Sequence, residues 1–233
     1  MLAHDVVGVG RPLIFLHGGF ATRRVFGYQV LQLSRQHRVI TPDLPGYGAS
    51  GWDATRPWFE QAVDAVVDLA TSLEVRAPVV IGWSLGGLVA RDVVDRLEGA
   101  ALVLVGTSST GIADGVRASM GKHMSADYPR YARTMVRSFT SSGVSADTED
   151  WLNDMALATG VDVAVASVAR TSVTMRVPFP PGTVSVSGAR DQIVPPASRP
   201  VDGVEDVVFD LSGHAPFLEE KDRFNELIAR VAG

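Results

Sequence analysis

The chain has 233 residues, 46% of them hydrophobic and 20% charged, a composition that folds around a core rather than staying disordered. Its 26 acidic and 21 basic residues leave a formal charge of −5, and this mild acid surplus argues against sequence-independent nucleic-acid binding, which needs clustered cations. Cysteine is absent, which excludes disulfides, iron–sulfur clusters, thiolate zinc sites and cysteine nucleophiles.

The length suits one α/β domain with a modest insertion. The opening MLAHDVVGVGRPLIF has neither the basic start nor the continuous apolar run of a secretory signal. No stretch approaches the ~18 apolar residues of a membrane span. A soluble, cytoplasmic protein with no nucleic-acid or membrane partner is therefore expected.

Taken in chain order, short apolar runs alternate with helical periods. Pro12–Leu16, Arg38–Thr41, Pro78–Gly82 and Ala101–Val105 are brief and rich in β-branched residues, as strands of a parallel sheet buried on both faces are. Between them, Phe59, Val63, Val66, Val67, Ala70 and Leu73 form one stripe of a helix over Trp58–Leu73, with Pro57 suited to its first turn. A second helix is expected over Leu88–Leu97. Residues from about Thr107 to Arg176 then read mainly as helix, including Tyr128–Phe139 and Thr148–Ala158, and hold five of the six methionines. Strand patterns resume at Thr183–Ser187 and Glu205–Phe209, and Arg223–Val231 closes the chain as an amphipathic helix. The expected fold is α/β, a mostly parallel sheet flanked by helices. Its core comprises residues 1–106 and 177–233, and residues 107–176 form a helical cap inserted into it.

Gly82-Trp83-Ser84-Leu85-Gly86 follows one of these strands and opens a helix, the setting in which a sharp turn presents a nucleophilic serine above the sheet. A serine needs a base, and the base an orienting acid. Asp191, in Gly188-Ala-Arg-Asp, and His214, in Ser212-Gly-His-Ala-Pro, both follow strands, on the edge where open α/β sheets bind ligands. Asp206 and Asp210 compete with Asp191 for the acid. His4, His37 and His123 read as surface or packing residues, and His17 as a residue that orders its turn. No histidine pair has metal-ligand spacing with a supporting carboxylate, so neither a metal nor a cofactor is expected. Oxyanion donors are expected from the backbone N–H groups of Leu85 and Gly19, with Phe20 as the alternative to Gly19. Phe20 and Trp83 are the expected substrate contacts. The glycines after Leu16 match neither phosphate-binding pattern.

The segments PLIFLHGGF, RVITPDLPGYGAS, VVIGWSLGGLVA, SGARDQIVPP and SGHAPFLEE together resemble the α/β-hydrolase superfamily over essentially the whole chain. That resemblance implies a Ser84–His214–Asp191 triad, an oxyanion hole from Gly19 and Leu85, and a helical cap after the sixth strand. GWSLGGLVA is most similar to the pimeloyl-ACP methyl ester esterases, followed by small carboxylesterases. Two departures stand out: the first strand of the family is missing or very short, and the helix after IVPP is cut to a turn. The implied activity is hydrolysis of a small-molecule carboxylic ester or thioester, free or linked to a carrier protein. A lyase or cofactor-free perhydrolase using the same triad, or a ligand-binding receptor on the same scaffold, is the alternative. In the cap, Arg130, Arg133 and Arg137 fall on one helix face, either as a solvated surface or as an anion-recognition stripe.

Overall fold

The computed structural model describes residues 1–110, 113–169, 175, 177–194 and 203–233. Seven described strands form one sheet in the order β1-β3-β2-β4-β5-β6-β7. They are β1 (His4–Val7), β2 (Arg11–Leu16), β3 (His37–Pro42), β4 (Val79–Trp83), β5 (Ala101–Val105), β6 (Val184–Gly188) and β7 (Glu205–Phe209). Only β1 runs antiparallel, paired with β3 at the sheet edge; every other pairing is parallel. The first strand is therefore present but only four residues long.

Period-two alternation sends the side chains of β2, β3, β4 and β5 into two separate cores. Leu13, Phe15, Ile81 and Val103 join the core beneath α1 (Gly27–Leu33) and α9 (Lys221–Ala232). Ile14, Leu16, Val80 and Leu102 join the core covered by α2 (Trp58–Ser72) and α3 (Leu85–Val94). Burial on both faces explains why the strand sequences read as unbroken apolar runs.

Among the described residues between β5 and β6 lie four helices of the inserted cap segment, α4 (Asp114–Ala126), α5 (Tyr128–Arg137), α6 (Ala146–Ala158) and α7 (Val161–Val168). Asp127 caps α5 by accepting from the Arg130 N–H, and Ser145 caps α6 through the Thr148 N–H. Buried Ala132, Val136, Leu152 and Met155 merge with the α1/α9 core and Val163 with the α2/α3 core, so these described helices share their hydrophobic centres with the sheet. The expected cap limit at residue 176 and the shortened segment after IVPP lie outside the described residues. The remaining helix, α8 (Pro216–Glu219), is a single turn.

Several element boundaries shift by one to three residues from the sequence reading, those around α2 and α3 among them. Pro57 stands just before α2, at its N-cap, instead of inside its first turn. Helix α3 begins directly after Ser84, not at Leu88. Gly86 and Gly87 are weak helix formers and hide that start, but packing requires them. A Cβ on Gly86 would overlap the carbonyl oxygens of Leu16 and His17, and one on Gly87 would overlap the Thr107 hydroxyl. A Cβ on Gly82 would strike the backbone of Gly86 and Gly87. These three glycines let α3 start against β2 and β4 with no side chain between.

Gly86→Ala opposes about 1 kcal/mol of helix propensity to a collision with backbone atoms that cannot swing aside. The collision dominates, and a net loss of about 1–3 kcal/mol is expected from urea denaturation. A variant as stable as the parent would contradict this packing.

Candidate active site

Ser84 occupies the junction of β4 and α3 with φ 53° and ψ −116°, a backbone conformation that costs a non-glycine residue about 1–3 kcal/mol. Hydrogen bonds on both sides hold it there. The Ser84 N–H donates to Val105 at 2.8 Å, and the Ser84 carbonyl accepts from the Gly87 N–H at 2.9 Å. The turn therefore lifts the side chain off the C-terminal edge of the sheet.

His214 comes from the loop after β7. Its Nδ1 lies 2.9 Å from Asp191 Oδ2, and both side chains are almost entirely removed from solvent. The other carboxylate oxygen of Asp191 accepts the N–H groups of Ile193 at 2.8 Å and Val194 at 3.0 Å. Burial alone would push this carboxyl up; the His214 hydrogen bond and charge, with those two N–H groups, outweigh it and hold Asp191 below the usual carboxylate range. Asp206 and Asp210 are exposed, so of the three aspartates weighed from sequence it is Asp191 that meets the ring. With Nδ1 engaged, Nε2 is the ring nitrogen left for chemistry.

Ser84, His214, Gly19, Phe20, Trp83 and Leu85 all line one cavity of about 420 Å³. Among the described residues neither the Gly19 nor the Leu85 N–H has a protein acceptor. Leu85 is the first residue of α3, where helix N–H groups lack intrahelical acceptors. Phe20 has φ 63°, which turns the chain sharply after Gly19. Its ring packs against Tyr131 at 5.8 Å and Tyr128 at 6.2 Å, tying this turn to the cap. Trp83 is 1% exposed. Its indole N–H donates to the His214 carbonyl at 2.9 Å, and its ring meets Phe139 and Phe217 edge-on. Most of Trp83 thus supports the histidine loop, and only its margin reaches the cavity.

His17 braces the other side of the site. Its Nδ1 donates to the Gly18 carbonyl at 2.8 Å, and its Nε2 accepts the Leu44 N–H at 2.9 Å. Next to it, buried Asp43 accepts the N–H groups of Arg23 at 2.8 Å and Ala49 at 3.0 Å and pairs with the Arg23 guanidinium. Sequence reasoning missed Asp43, Arg23 and the glutamates after His214. Asp43 and Arg23 meet across 20 positions and Glu219 reaches Ser141 across 78, while Glu220 binds Leu211, Ser212 and Arg223 nearby in the chain; no recognised spacing marks any of them.

Burial pushes the His17 imidazole down to about 4, against smaller opposing contributions from Gly18 and Asp43. The folded state therefore binds fewer protons than the unfolded chain between pH 6.5 and 4, so stability is complete above pH 6.5 and declines below it. Urea denaturation should show a loss of about 3 kcal/mol across that window. His17→Gln, which keeps an acceptor for Leu44, should flatten the slope. An equal slope in the variant would move the effect elsewhere.

The chain is similar to several known proteins. A family model described as the alpha/beta hydrolase family matches residues 13–227. The chain is 29% identical to the AB hydrolase superfamily protein YisY of Bacillus subtilis, covering 97% of this chain and 93% of that one. It is 31% identical to the pimeloyl-[acyl-carrier protein] methyl ester esterase of Sodalis glossinidius, over 92% and 91% of the two chains. Among solved structures, an esterase from Exiguobacterium antarcticum superposes with a TM-score of 0.88 at 21% identity, over 100% of this chain and 96% of that one. With nine-tenths of its length matched by the family model, the chain belongs to the alpha/beta hydrolase family.

Proposed function

We propose that this protein is a carboxylic ester hydrolase that works through an acyl-Ser84 intermediate. The observation that carries this reading is the opening of Ser84 and His214 into one cavity, with Asp191 on the far nitrogen of the imidazole. Neutral His214 takes the serine proton through Nε2 as the hydroxyl oxygen attacks the ester carbonyl. Asp191 holds the tautomer and stabilises the imidazolium that forms. The N–H groups of Gly19 and Leu85 receive the negative charge on the carbonyl oxygen. Collapse expels the alcohol, protonated by His214. Water, deprotonated by the same imidazole, then releases the acid and regenerates Ser84.

The cavity narrows the substrate. Among its described lining residues His214 is the only titratable one; the walls include Leu88, Met120, Met135, Phe139 and Val168. Burying a free carboxylate or ammonium there would go uncompensated, so the acyl portion is uncharged and apolar. The two cap methionines make an adaptable wall for a flexible chain. Relatives named as esterases of a carrier-protein-linked acyl group support the ester reading and make a carrier-linked substrate the second possibility for this chain. On the cap surface Arg130 and Arg133 are exposed, while Arg137 pairs with Glu149 at 2.9 Å. Charge reversal of Arg133 and Arg137 should lower kcat/KM for a carrier-linked ester, with a clear salt dependence, and leave a small neutral ester unaffected. Equal effects on both substrates, or none on either, would return this face to solvent.

Ser84→Ala should reduce kcat on p-nitrophenyl esters by at least about 10³-fold while leaving the fold intact. Asp191→Asn should be severe and worse than Asp210→Asn. Near-parental turnover by Ser84→Ala would overturn the nucleophile. A proton-abstracting lyase would instead turn over its substrate with no acyl adduct on Ser84.

A further inference from the structure

The loop that carries His214 is attached to the cap as well as to the core. Ala215 donates its N–H to the carbonyl of Phe139 at 2.8 Å, immediately past the end of α5. Glu219 of α8 spans the same gap with its carboxylate. One oxygen accepts the Gly213 N–H at 2.6 Å, and the other accepts the Ser141 N–H at 2.7 Å. The Ser141 hydroxyl lies 2.9 Å from that second oxygen and 2.7 Å from the Leu211 carbonyl, sharing one proton between them. Contact here is tight enough that a Cβ on Gly213 would lie 2.8 Å from the Ser141 nitrogen.

We propose that Glu219 is a positioning residue that locks the backbone just before His214 to the turn between α5 and α6, so that the cap and the imidazole keep one fixed relation. The proposal rests on the reading of His214 as the base. Gly213 is glycine because the cap turn leaves no room for a side chain, and a glycine there gives the loop no stiffness of its own. The carboxylate replaces that missing stiffness with charge-assisted hydrogen bonds to both strands of chain. Its neighbour Glu220 grips only the loop, accepting from the Ser212 hydroxyl at 2.7 Å and the Leu211 N–H at 3.3 Å, with Arg223 on its other oxygen at 3.1 Å. Among the described residues, the charged groups around the loop include Asp191 on the ring, Glu219 and Glu220 on the backbone, Arg223 on Glu220, and exposed Asp210 at the loop's start. They also include Arg190, whose backbone N–H donates to the Ser212 carbonyl and which lines a surface hollow with Arg137 and Ser141. Releasing Gly213 would let the ring drift from Asp191, and errors of ångström size in a catalytic group cost orders of magnitude in rate.

Glu219→Gln turns one acceptor into an amide donor facing an N–H group; Glu219→Ala removes both acceptors. With a short neutral ester, kcat should fall about 10-fold in the first and further in the second, with KM within about two-fold of the parent. A lowered kcat beside an unmoved KM is the split that a displaced base produces, since substrate still binds but the proton transfer is misaligned. Parental kcat in folded Glu219→Gln would overturn the proposal. So would a kcat loss that only follows the unfolded fraction, or one matched by an equal rise in KM. His214→Ala, assayed alongside, separates the two failures. If it remains active, the base assignment falls and the positioning role falls with it; if it is inactive while both Glu219 variants match the parent, the positioning role alone falls.

Discussion

The close approach of α3 to β2 and β4 is the constraint from which the rest of the site follows. Without a Cβ at Gly82, Gly86 or Gly87, the chain turns from strand to helix in one residue. That residue, Ser84, takes the strained conformation at the turn. The same turn leaves the first N–H of α3 beside the cavity with no intrahelical acceptor, so one packing decision sets both the proposed nucleophile and one proposed oxyanion donor. The strain at Ser84 is sustained by its two backbone hydrogen bonds and by the buried strands on either side.

Around that fixed point the other groups arrive on loops, each held by partners far away in sequence. The Gly19 turn is braced by His17 against Leu44 and by Phe20 against the cap tyrosines. The His214 loop is braced by Trp83, Phe139 and Glu219. Both therefore depend on the cap, whose buried side chains belong to the same cores as the sheet. Inserted helices and sheet together enclose a mostly apolar cavity, a medium of low polarity onto which the proposed base and oxyanion donors open.

Much of this was legible in the sequence, and the reason lies in chain distance. Strands buried on both faces produce apolar runs, so β2 to β5 could be read directly. The elbow is a contiguous motif whose glycines and serine carry their own physical meaning. Asp191 and His214 each stand just after a strand, which located them without long-range information. Less was visible where the pattern is weak. The polar, half-exposed β1 lacks an apolar run, and the start of α3 is masked by the glycines that its packing needs. Glu219, Asp43 and Arg23 were invisible for another reason: each is an ordinary charged residue until the fold brings up a partner 20 to 78 positions away.

The central claim is that Ser84 becomes covalently acylated during ester cleavage. Rapid-quench mass spectrometry with a p-nitrophenyl ester of a medium-length acid tests it most directly. An acyl increment on the peptide containing Ser84, formed and lost at rates compatible with turnover and absent from Ser84→Ala, is the expected result. Steady turnover with no adduct at Ser84, or an adduct confined to another residue, would contradict the account.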